Sequence, residues 1–259
     1  MAVIAVPPPA ELASAPDIFE AGEVDLSGLD DVDWAELKHA RGSAEDVPEL
    51  IRTLGRDDDR WSDALDELLA DRLLHEGNCY SATVPAMEFI VRLLASGTLP
   101  VQRRLDLYLW LLHATGQWAV SMVEDAELAV AESRPAQFAP WSPHVHLAIA
   151  DHIVPLLDRW SVEPPVTQFF LACLAAQHRL DGQLLAPEVS ALAAATAGTQ
   201  HGAYLRLAEA VLTSDDTPAL AIAQEIVGWA GLDPRGLDAS VVTPMLRALS
   251  VLAAGAVRV

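Results

Sequence analysis

The sequence predicts an all-α protein: about five helical hairpins stacked in a right-handed solenoid, behind a disordered acidic leader. Three observations predict it. Apolar residues recur at helical spacing from about residue 33 onward, most clearly over residues 58–75. Helix-opening prolines return, Pro48 and Pro85 lying 37 residues apart, about one helix pair. No segment shows the sustained apolar–polar alternation of a strand.

Composition sets the bounds. The chain has 259 residues and is 52% hydrophobic, enough to bury a substantial core. Its 37 carboxylates outnumber 16 Lys and Arg, for a formal net charge of −21. Such a charge repels nucleic-acid phosphates and anionic lipid heads and favours basic partners. It is also unevenly spread, because residues 1–76 hold 20 acids and 6 Lys or Arg. Cys79 and Cys173 lack metal-ligand spacing and read as free thiols of a reducing compartment. No run approaches the roughly 18 apolar residues of a membrane span. Met1 to Pro9 is apolar without a positive flank, so neither a signal peptide nor an anchor is expected, and the protein reads as cytoplasmic.

The leader covers residues 1–32, where Pro7, Pro8, Pro9 and Pro16 argue against regular structure. Ile18, Phe19, Val24 and Leu26 are its candidates for docking on a neighbouring surface. The helical-repeat domain spans 33–259, with a possible break at 133–143. Trp34 to His39 predicts a short helix ended near Gly42. Ser43 predicts an N-cap, followed by Leu50, Ile51 and Leu54 on an apolar face that Gly55 closes.

Over residues 58–75, Trp61, Leu65, Leu68, Leu69 and Leu73 form one helical face. Asp59, Asp63, Asp66, Glu67 and Asp71 repeat that spacing two residues earlier. Two residues turn a helix by roughly 200°, so the acidic stripe lies opposite the apolar one. Gly77 and Asn78 close this helix, Ser81 caps the next, and Gly97 stops it. Pro100 opens a helix through about His113, and a separate one runs from Gln117 to about Glu132. Further helices are predicted over about 144–160, 165–178, 187–197, 200–213, 217–229 and 239–253, with breakers between them.

The phrases Ala44 to Leu50, Trp61 to Leu69 and His75 to Pro85 together resemble bacterial HEAT-like-repeat proteins. The resemblance covers roughly residues 33–97 and implies stacked helix pairs. It carries no functional residue, because such families are diverse in role. A compact helical bundle is the competing architecture on the same periodicities.

Nucleotide-binding, zinc-protease and nucleophile-elbow motifs do not occur. No catalytic residue, cofactor or metal site is therefore assigned. His144, His146, Asp151 and His152 are the nearest approach to a ligand set. On one helix, however, two turns separate His144 from Asp151 and His152, and His146 points elsewhere. Two readings stand. The first is a non-catalytic protein-binding module, in a scaffold, inhibitor or immunity-type role. It docks a basic protein through its acidic N-terminal third, with Asp59, Asp63, Asp66, Glu67 and Asp71 as contacts. The second is an enzyme or a ligand or metal carrier with an interhelical pocket near His144, His146 and His152.

Overall fold

The computed structural model describes residues 24–56, 59–136, 140–213, 216–231, 242–256 and 258. These are mostly helical, as the periodicity predicts. The leader over residues 1–23 lies outside them. Its remainder is packed: Leu29 is buried, and Val24, Leu26 and Val32 lie against the core. The Trp34 indole N–H donates to the Leu29 carbonyl at 2.8 Å, and Arg92 donates to that of Ser27 at 2.8 Å.

The expected helix over Trp34 to His39 is absent. In its place, β1 (Lys38–His39) pairs antiparallel with β2 (Gly42–Ser43). Gly42 at φ 131° makes the tight reversal that a helix end was expected to make. Helix α1 (Val47–Leu54) follows, with Pro48 in its first turn. Ser43 does not cap it; its hydroxyl donates to Glu45, and Asp46 holds the cap position.

Helix α2 (Trp61–Leu65) continues into an eight-residue π-helical segment, Asp66–Leu73. There the Leu74 N–H reaches back five residues to the Leu69 carbonyl at 2.9 Å. Carbonyls at the end of such a turn need outside donors. Arg72 receives the Ala40 N–H at 3.0 Å, and Leu73 receives the Thr83 hydroxyl at 2.7 Å. The β1–β2 hairpin thus clamps the π segment from one side.

Helix α3 (Thr83–Ser96) ends at Gly97, held at φ 69°. Ser81 does not cap α3. Its hydroxyl instead accepts the Lys38 N–H at 2.9 Å, tying α3 to the hairpin. Helix α4 (Val101–Ala131) runs unbroken for 31 residues where two helices were expected. Gly116 does not break it, because its bare Cα is where another helix makes contact: a methyl there would overlap the Ala253 Cβ.

The segment expected as one helix over 144–160 is three short pieces. They are α5 (Ser142–Ala150), α6 (Val154–Leu157) and a 3-10 turn over Asp158–Val162, with Pro155 opening α6. Next come α7 (Pro165–Gln177), α8 (Arg179–Gly182), α9 (Ala186–Ala195), α10 (Gln200–Leu212), α11 (Asp216–Ala230) and α12 (Pro244–Ala256). α7, α9, α10 and α11 follow the predicted spans closely, whereas α8 and a 3-10 turn over Gln183–Leu185 occupy the stretch where Asp181 and Gly182 were expected to break the chain. The expected start of the last helix near 239 lies outside the described residues.

Helix α4 is central, packing against α3, α5, α7 and α12. Helix α12 packs against α4, α7, α10 and α11. The last helix therefore returns to the middle of the chain, a contact that a linear stack of repeats does not make. One continuous core joins Leu107, Leu111 and Leu112 of α4 to Leu171 and Leu174 of α7, Leu207 of α10 and Leu252 of α12. Each fully buried side chain of this kind stabilises by roughly 1.5–3 kcal/mol.

Candidate functional site

The π segment with α2 carries the acidic stripe. Trp61, Leu65, Leu68, Leu69 and Leu73 are buried, and Asp59, Asp63, Asp66, Glu67 and Asp71 are all exposed. The wider π turn leaves that division intact. The Trp61 indole donates to the Leu54 carbonyl at 3.0 Å, and the Arg103 guanidinium lies 5.1 Å over its ring. The scaffold under the carboxylates is thus pinned from both flanks.

The five acids differ in their surroundings. Asp71 accepts from Arg41 at 2.9 Å, which holds its carboxyl below the usual range. Glu67 pairs with Arg72, which also reaches Asp46 at 2.9 Å. Asp59, Asp63 and Asp66 pair with no cation among the described residues. Asp66 instead faces another acid, Asp106 of α4. Burial pushes the Asp106 carboxyl up, Gln102 works against that through a hydrogen bond at 3.5 Å, and the charge of Asp66 adds to it.

A cleft of about 390 Å³ opens between this segment and α4, lined by Ala70, Leu74, Glu76, Leu109, Trp110 and His113. Sequence reasoning missed it. Its signal was present in α4, where Asp106, Leu109, Trp110, His113 and Gln117 recur at helical spacing and remain only partly covered. The expected break between His113 and Gln117 concealed that stripe. Burial lowers the pKa of His113, whose Nε2 lies 3.2 Å from the Gln117 amide nitrogen.

The alternative histidine site does not form as expected, since the three side chains diverge. His144 is exposed, sits at 2.9 Å from the Pro140 carbonyl and leans on Trp141. His152 turns to Glu88 at 3.6 Å. His146 turns inward, stacking on His178 with ring centroids 4.5 Å apart and on Trp118 at 5.0 Å. His144 and His146 diverge because residues two positions apart on α5 point roughly 200° apart, and His152 lies past the end of that helix. Both inner imidazoles meet the Thr115 hydroxyl, His146 Nδ1 at 3.0 Å and His178 Nε2 at 2.8 Å. Among the described residues, no three His, Cys, Asp or Glu side chains are grouped to hold a metal ion.

Cys79 and Cys173 are both free and buried. Burial pushes the Cys79 thiol up to about 11, so it carries little nucleophilic thiolate near neutrality. Among the described residues, no helix is long and apolar enough to cross a membrane. Compared with protein-family models, with curated proteins and with solved structures, the chain matches none.

Proposed function

We propose that this protein is a non-catalytic binding module that docks a basic partner protein through its acidic N-terminal third. One observation carries the reading. Among the described residues, Asp59, Asp63 and Asp66 stand exposed with no cation paired to them, on a segment whose opposite side is buried. The carboxylates are presented on a rigid support rather than on a loose tail. A partner's Lys or Arg would supply the missing counter-charge, speeding encounter and setting orientation more than raising affinity.

The resemblance of residues 33–97 to bacterial HEAT-like-repeat proteins agrees with this class, because stacked helix pairs offer extended binding surfaces. A scaffold, an inhibitor or an immunity-type protein would each use the surface in this way. The reading contains no cofactor, nucleic-acid or membrane step.

The test is affinity capture from the native lysate at low and high salt, using the wild type and a variant with Asp59, Asp63, Asp66 and Asp71 changed to Asn. The variant should keep its helical circular dichroism. A basic protein should be retained by the wild type at low salt only, since screening shortens exposed charge interactions to about 8 Å at physiological salt. The variant should lose it. Equal retention by the variant would remove the acidic stripe from the binding surface.

A further inference from the structure

The cleft beside the acidic stripe lies along one face of α4, between two further approaches of the same segments. Three points place its walls. Asp66 faces Asp106 at one end. Ala70 and Leu74 face Leu109, Trp110 and His113 in the middle. Gly77 lies against the Gln117 amide at the other, where a methyl would sit 3.5 Å away. From Asp106 to Gln117, α4 rises about 16 Å at 1.5 Å per residue, so the groove is about three helical turns long.

Its chemistry is divided. The floor is apolar and aromatic, with Leu74 buried and Leu109 and Trp110 half-covered. The ends are acidic. Asp66 and Asp106 form a like-charge pair at one end. Glu76 stands at the other end with its side chain 80% exposed; its nearest ionic neighbour is His75 at 4.0 Å. Glu76 is held at φ 53°, a left-handed backbone that a non-glycine residue adopts at a cost of about 1–3 kcal/mol. That conformation belongs to the turn that places its carboxylate at the mouth of the cleft. Arg72, the cation of the π segment, is engaged by Glu67 and Asp46. Burial lowers the pKa of the neighbouring imidazole, His113, and so disfavours a positive charge there.

We infer that this groove is the anchor site for a basic amphipathic helix of the partner protein, its apolar residues entering over Leu109 and Trp110 and its cations meeting Asp66, Asp106 and Glu76. This rests on the docking function proposed above and names the partner's chemistry. The groove has the length, apolar floor and charged rims of helix-in-groove recognition. A second copy of this chain is a poor occupant, because a net charge of −21 on each repels the other.

The experiment is calorimetric titration of the full chain with three synthetic helix-forming peptides. Each is about 14 residues, roughly 21 Å as a helix. The first carries leucines at i and i+4 and several arginines, the second replaces the leucines by serine, and the third replaces the arginines by glutamate. The leucine–arginine peptide should bind about tenfold more tightly than the serine–arginine peptide, and the glutamate peptide should not bind. Trp110→Ala should remove that tenfold advantage. Ala70→Gln, a helix-compatible change that fills the cleft from the π segment, should remove it without disturbing the core. Equal binding of the two arginine peptides, or an advantage that survives both variants, would overturn the groove while leaving the acidic surface standing. Absence of binding by either arginine peptide would overturn both readings. Binding of the glutamate peptide would mark an apolar site without charge selectivity, which also overturns this one.

Discussion

The Thr115 hydroxyl has one proton to give and two imidazoles within reach, so it donates to one and accepts from the other. His178 Nδ1 is buried without a hydrogen-bond partner. A bare lone pair is tolerated in the interior more readily than an orphaned N–H. That places the His178 proton on Nε2, donating to Thr115, which in turn donates to His146 Nδ1. Protonating His178 would bury an unpaired N–H beside a stacked imidazole. Burial lowers both pKa values, with His146 adding to the effect on His178. His113 and His201 are lowered by burial as well.

The sign of the pH dependence follows. Below the unfolded histidine pKa, about 6.5, the unfolded chain binds protons that the folded chain refuses. Stability from these groups is complete above that pH and is lost as the pH falls beneath it. The urea midpoint should therefore drop between pH 7 and pH 5. His178→Gln should flatten that drop, and an unchanged slope would show that the pair does not govern it. The acids act in a lower window. Asp71, held low by Arg41, begins to lose its contribution only below about pH 4.

At the scale of elements, an ion pair fastens α4 to the turn before α7. The Glu163 carboxylate is fully buried, accepts from Arg104 at 3.0 and 3.2 Å, and accepts from Arg159 at 2.9 Å. Arg104 also donates to the Leu99 carbonyl. Tyr108 stands 3.5 Å from the same carboxylate, and burial raises its phenol pKa. A buried pair adds little over an apolar replacement, but removing one partner strands the other. Glu163→Ala should cost about 3–5 kcal/mol in denaturant unfolding. A loss below about 1 kcal/mol would mean that water already reaches Arg104.

The N-terminal half shows how element ends escape a local reading. Ser43 and Ser81 have the chemistry of helix caps and the expected spacing. Yet one bonds Glu45 and the other bonds across 43 residues to the Lys38 backbone. A hydroxyl takes the nearest suitable group in space, and spacing along the chain does not reveal it. The π segment is similar. Asp66–Leu73 contains neither Gly nor Pro, and the groups that donate to its freed carbonyls, the Ala40 N–H and the Thr83 hydroxyl, come from other elements.

For the whole molecule, the decisive contact is between Gly116 and Ala253, where α12 meets α4. Gly116→Ala would drive a methyl into the Ala253 Cβ, while the Ala253 Cα lies 3.4 Å away. The single change should destabilise by about 1–3 kcal/mol, as overpacking does. The double variant Gly116→Ala with Ala253→Gly exchanges the two methyls and should recover most of that loss. If it recovers none, the two helices do not meet there in solution. The contact also lies within the proposed binding helix. α4 runs unbroken through Gly116, and only an unbroken α4 carries Asp106, Trp110 and Gln117 along one face.

Many helix positions from residue 47 onward and the acidic face of residues 59–71 were legible in the sequence. Burial periodicity is a local property: which side of a helix meets water is written in the residues of that helix. Trp61 and Leu65 are buried and Asp63 and Asp66 are exposed, as their spacing requires. The continuity of α4, the π segment, the stacking of His146 on His178 and the groove over Trp110 were not legible. Each depends on a group in another element, Ala253 for Gly116, Thr83 for Leu73, His178 for His146 and Leu74 for Trp110. The sequence by itself determined that the chain is mostly helical and where the negative charge lies. Only the tertiary structure decided which helices meet, because packing selects partners by shape and by unsatisfied polar groups, and neither is periodic.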